Sequence, residues 1–89
     1  MRNIKEENRI INNIINVLNE KAEQGYTDVI CGIQDYKKTG NYGYLPYDII
    51  KEWSEYRYDI EEKYQYENNR GKILNNIDKK FHKKISENC

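Results

Sequence analysis

The sequence predicts a small all-α domain, a compact bundle of three to four helices, and three observations predict it. Apolar residues recur at three- and four-residue steps through most of the chain, the spacing that gathers them on one face of a helix. Turn-forming residues are concentrated in two places, 39–46 (TGNYGYLP) and Asn68, Asn69 and Gly71, so they punctuate rather than pervade. Opposite charges four residues apart, Arg57–Glu61 and Asp59–Lys63, suit the exposed side of a helix. Helices are expected near 4–24, 28–39, 46–68 and 71–86 of a single domain spanning 1–89, with 86–89 frayed.

The first helix carries the strongest signal. Ile4, Ile11, Ile14, Ile15, Leu18 and Ala22 form its apolar stripe, and Arg9, Asn12, Asn13, Asn16, Glu20 and Glu23 take the other faces. Asn3 is placed to cap it, Glu6 and Glu7 suit the positive end of the dipole, and Gly25 suits the left-handed position after its end. The stripe resembles a short heptad seam, which packs either within this chain or against a second copy.

The second element is read as a short helix. Thr27 is its expected cap, Asp28 falls in the first turn, and Gly40 stops it. Val29, Ile30 and Ile33, preceded by Tyr26, suit a strand as well, and Gly32 weakens both readings. Cys31, lying among them, is expected to be a small buried thiol.

After the loop, Pro46 suits the first position of a helix, where its missing N–H is not needed. Ile49, Ile50, Trp53, Tyr56, Ile60 and Tyr64 then follow helical spacing. A competing pattern alternates at period two through Tyr56, Tyr58, Ile60, Tyr64 and Tyr66, and would make a small hairpin near 56–67 and an α+β fold. Glu61-Glu62-Lys63 is helix rather than turn chemistry, so the helix is preferred. The last helix presents Ile73, Leu74, Ile77, Phe81 and Ile85 on one face.

Composition excludes several function classes. With 89 residues the chain is too short for a large enzyme fold with a deep cofactor cleft. A mean hydropathy of -1.11 is polar, yet thirteen isoleucines, nine tyrosines, Trp53 and Phe81 suffice for a core. Apolar runs are too short to cross a bilayer, and the opening MRNIKEEN lacks the stretch of a secretory signal, so a cytoplasmic location in a bacterial host cell is expected. Fifteen basic and fifteen acidic side chains cancel, which argues against a nucleic-acid coat or a polybasic membrane anchor. Cys31 and Cys89 are too few for a disulfide scaffold and are expected as reduced thiols. His82, the single histidine, has no Ser or Cys near it in sequence and reads as a surface residue among lysines. One histidine leaves no metal-ligand spacing, and Gly40 and Gly43 lack the lysine and hydroxyl of a phosphate loop. No catalysis, cofactor or metal is therefore expected.

Two anomalies point to a partner. Residues 48–68 hold seven carboxylates against three cations, a net −4, and residues 69–89 hold six cations against two carboxylates, a net +4. Either these segments neutralise each other as antiparallel neighbours, or one of them meets an oppositely charged partner. The nine tyrosines lie mostly between Tyr36 and Tyr66. So small a core cannot enclose that many phenols and satisfy each hydroxyl, so several rings must face outward. Exposed Tyr and Trp among charges are typical of protein-binding hot spots. The candidate contact residues are Tyr42, Tyr44, Glu52, Trp53, Glu55, Tyr56, Tyr58, Asp59, Glu61, Glu62, Tyr64 and Tyr66. Tyr42, Tyr44, Tyr58 and Tyr66 are the better surface candidates, whereas Trp53, Tyr56 and Tyr64 suit a core equally well. Carboxylates along a helix also imitate the charge track of a phosphate backbone.

No family motif is present. The Lys/Asn/Ile/Tyr/Glu-heavy usage looks like that of a low-GC bacterium or its phage. The shortness of the chain and its stretch Tyr56-Arg57-Tyr58-Asp59-Ile60-Glu61-Glu62 are similar in style to small phage-encoded anti-CRISPR proteins. That resemblance implies an inhibitor which occludes the nucleic-acid or effector surface of a host protein, such as an effector nuclease. An alternative is a small DNA- or RNA-binding regulator using a stripe of Lys72, Lys79, Lys80, Lys83 and Lys84. A further alternative is a nucleotide-binding sponge built at an oligomer interface, and a homodimer is compatible with each.

Overall fold

The computed structural model describes residues 3–89, and these form four α-helices without a strand. Asn3 Oδ1 accepts the backbone N–H of Glu6 at 3.1 Å, and α1 runs from there over Ile4–Glu23. Gly25 turns the chain at φ +84°, a left-handed conformation that glycine adopts without Cβ strain. α2 spans Thr27–Thr39, with Tyr26 rather than Thr27 in the cap position. Gly40 ends it at φ +72°, its N–H donating to Tyr36 O at 2.7 Å. A single 3-10 turn follows at Tyr42–Tyr44, fastened by the Gly43 N–H on Asn41 Oδ1 at 2.9 Å. Pro46 stands one residue ahead of α3, which covers Tyr47–Lys63, and α4 covers Arg70–Asn88.

The hairpin alternative at 56–67 is overturned, because Tyr56, Tyr58 and Ile60 all lie within α3. Two residues apart is about 200° around a helix and 180° in a strand. A short period-two pattern therefore places Tyr58 opposite Tyr56 and Ile60 in either structure, and cannot tell them apart. The helix does end at Lys63, short of 68, and 64–69 makes the turn into α4.

Side chains from every helix meet in one core. α1 supplies Ile11, Ile14, Ile15 and Leu18, α2 supplies Ile33 and Tyr36, and α4 supplies Ile77, Phe81 and Ile85. Ile49, Trp53 and Ile60 come from α3, and Leu45 closes one end. At the centre Trp53 stacks on Phe81, centroids 4.2 Å apart and planes 12° from parallel. Tyr36 meets the Phe81 ring edge-on at 5.8 Å. The indole N–H of Trp53 donates to Asp78 Oδ1 at 3.1 Å, so burying the ring leaves no polar atom stranded.

Gly32, which weakened the reading of α2, has a packing reason. A Cβ there would run into the carbonyl oxygen of Tyr44, so its absence lets the 3-10 turn lie against α2. Cys31, expected inside, is exposed. Val29, Ile33 and Tyr36 turn toward the core at steps of four and three, and Cys31, two residues from Ile33, faces away. The end expected to fray is helical to Asn88, whose carbonyl accepts from Asn19 Nδ2 at 3.1 Å. Cys89 rests half-buried on the core, and that burial pushes its thiol above the usual range. Among the described residues, no helix is long and apolar enough to cross a membrane.

Candidate functional site

α3 sorts its side chains by helical phase. Its inner face buries Ile49, Trp53 and Ile60. Trp53 is only 1% exposed, so the one tryptophan among the candidate contact residues belongs to the core and is removed from the contact face. Tyr56 is half-buried, its hydroxyl donating to Glu7 Oε1 at 3.3 Å. Tyr42 is also half-buried, its ring beside the Arg57 guanidinium at 5.9 Å and its hydroxyl accepting from Arg57 Nη1 at 3.3 Å. Tyr64 and Glu52 are half-buried as well. What remains of the expected face is Tyr44, Glu55, Tyr58, Asp59, Glu61, Glu62 and Tyr66, all exposed.

The outer face of α3 has an addition that the sequence reading passed over. Tyr47 is 79% exposed, more than Tyr58 at 64%, and Tyr66 beyond the helix end is 92% exposed. Tyr47 and Tyr58 are eleven residues apart, three helical turns, so their rings stand on one line roughly 16 Å apart along the axis. That interval was visible in the sequence. Between them lies an open depression of about 550 Å³. One wall is the row Tyr47, Lys51, Glu55 and Asp59; the other is Ile50, Ser54 and Tyr58. Each row advances by four residues, so the depression is the groove between two neighbouring ridges of the helix surface.

Ion pairs tie α3 to α1 and to one acid of α4. Asp48 approaches Lys21 of α1 at 3.8 Å. Among the described residues, no α3 carboxylate pairs with an α4 lysine; the ion pair joining these helices has the opposite sense, Arg57 Nε to Asp78 Oδ1 at 3.0 Å. Antiparallel neutralisation of the acidic α3 segment by the basic α4 segment is therefore not what this contact shows.

The lysine stripe loses a member. Glu7 is fully buried and accepts from Lys80 Nζ at 2.6 Å, which compensates a carboxylate that would otherwise be costly to bury. Lys80 is thus held inward, while Lys72, Lys79, Lys83 and Lys84 are exposed. His82 is not a free surface group either. It is half-buried, its Nε2–H donates to Lys37 O at 3.1 Å, and its ring lies edge-on to Tyr36 at 5.0 Å. Burial, with Asp78 and Tyr42 adding to it, holds the Tyr36 phenol well above its ordinary range. Among the described residues, no three His, Cys, Asp or Glu side chains are grouped to hold a metal ion.

Fold and surface together define a four-helix domain bearing an aromatic, acidic outer face on α3. Compared with protein-family models, curated proteins and solved structures, the chain matches none.

Proposed function

We propose that the protein is a non-enzymatic inhibitor that docks through the outer face of α3 on a basic surface of a host protein and keeps nucleic acid from it. One observation carries the reading: Tyr47 and Tyr58 project in line from α3, beside exposed carboxylates that α4 does not neutralise. A phenol ring buries much area for little lost side-chain entropy, which suits it to hot spots. The carboxylates select a cationic partner and repel nucleic acid itself. The likeness in style to small phage-encoded anti-CRISPR proteins favours the same reading.

The test begins with the immobilised protein and a lysate of a low-GC bacterium. The wild type is expected to capture a protein whose DNA or RNA binding then falls. The variant carrying Tyr58→Ala and Asp59→Ala is expected to lose that capture with its helical circular dichroism unchanged. Capture insensitive to both changes counts against the face. A gel shift of nucleic acid by the protein alone, fading steeply with salt, would instead favour Lys72, Lys79, Lys83 and Lys84 as the working surface.

A further inference from the structure

The shape of the α3 face narrows the kind of partner element it takes, an inference that rests on the docking role proposed above. Flat contact surfaces do not need a groove, and this one has a direction. Its two walls are consecutive four-residue rows of a single helix, one of them lowered by short Ser54 and half-buried Ile50. A groove between such rows is the receptor into which the corresponding row of a second helix fits, with axes crossing at about −50° and lying about 8–10 Å apart. Among the described residues, only α3 side chains line it; Trp53 and Ile60 point to the core, and Ile50 at its edge packs partly against that core.

The charge along the groove states what the incoming row must carry. Lys51 is the single cation on the walls, against Glu55 and Asp59, and beside Tyr58 the carboxylates of Glu61 and Glu62 outnumber the one cation there, Arg70. Two copies of this face would set like charges against each other, so self-association through it is disfavoured. We infer that the groove on α3 receives one α-helix of the partner, whose inserted row carries arginine or lysine at four-residue intervals with small or apolar residues beside them. The tyrosines at either end of the groove then flank the inserted helix, offering ring faces to its cations.

The probe is an alanine- and leucine-based peptide with arginine at every fourth position, compared with the same composition interrupted by central prolines. Fluorescence anisotropy with the full chain is expected to show the helical peptide binding about tenfold more tightly, or more. Ser54→Phe, which crowds the groove from its lower wall without changing charge, is expected to remove that preference. The pair Glu55→Gln and Asp59→Asn keeps the shape and is expected to weaken the helical peptide about tenfold, covering the case in which Ser54→Phe disturbs folding. Equal binding of the interrupted peptide, or no effect of the second pair, overturns the inference. So does sedimentation showing a dimer that Ser54→Phe dissociates, since a second copy would then occupy the groove. Partner capture that still depends on Tyr58 and Asp59, without any preference for a helix, overturns the inference alone; loss of both dependences removes the face itself.

Discussion

The inner and outer sides of α3 draw on the same residue types and put them to opposite uses. Inside, Trp53 stacks on Phe81 and donates to Asp78, and Tyr56 reaches Glu7. Outside, Tyr47 and Tyr58 show most of their rings to water. Ring count alone does not separate these roles. Phase around the helix does, together with whether a polar partner stands where the ring's N–H or O–H ends up. An aromatic residue with a waiting acceptor is mortar; one without a neighbour is a surface in reserve.

The comparison breaks most visibly at Trp53. Trp53→Ala is expected to cost about 3–5 kcal/mol of stability in a denaturant titration, as large aromatic-to-alanine changes in a core do. Tyr47→Ala with Tyr58→Ala is expected to change the stability read in the same titration by no more than about 0.5 kcal/mol, the usual range for surface changes. A large loss from the outer pair would mean that those rings hold the fold together.

The buried Glu7 sharpens the inner side. Glu7→Ala leaves Lys80 facing a closed site without its anion, and a cost of about 1–3 kcal/mol is expected in urea, the range for a stranded buried polar group. Lys80 keeps some solvent contact, its side chain 24% exposed, which holds the effect below that of a fully enclosed charge. Lys80→Met added to Glu7→Ala is expected to recover part of the loss, since apolar packing often replaces a buried pair without penalty.

The smallest effect concerns pH. The folded state keeps Tyr36 protonated above the ordinary value of 10.0, while the unfolded chain ionises it there. Its contribution is complete below that pH and is lost as pH rises past it, because the unfolded state then releases a proton that the folded state retains. Between pH 9 and 11, Tyr36→Phe is expected to lose less stability than the wild type. Parallel declines would show that Tyr36 does not govern the alkaline limb.

Much of this architecture was readable from spacing. The stripes of α1 and α4, the cap at Asn3 and the glycine stops at Gly25 and Gly40 are local patterns, and local patterns survive without knowledge of tertiary neighbours. The need for exposed phenols followed from volume and hydrogen-bond supply, and Tyr26, Tyr44, Tyr47, Tyr58 and Tyr66 are indeed exposed. What was not readable depends on contacts distant in the chain. Lys80 looked like one lysine of a stripe until Glu7, 73 residues away, claimed it. Trp53 suited the contact face and the core equally until Asp78 supplied an acceptor inside. Cys31 sat among apolar neighbours, and the phase of α2 that turns Val29, Ile33 and Tyr36 to the core leaves it outside. Tyr47 opens α3 and falls off its apolar stripe, although its distance from Tyr58 already placed both on one line.

Backbone amide chemical-shift mapping of the captured complex addresses the docking face most directly. Perturbations clustered at Tyr47, Lys51, Ser54, Tyr58 and Glu62, with α4 quiet, are what docking on α3 requires. Shifts confined to Lys72, Lys79, Lys83 and Lys84, with the α3 groove unchanged, would place the partner on the other charge and refute it.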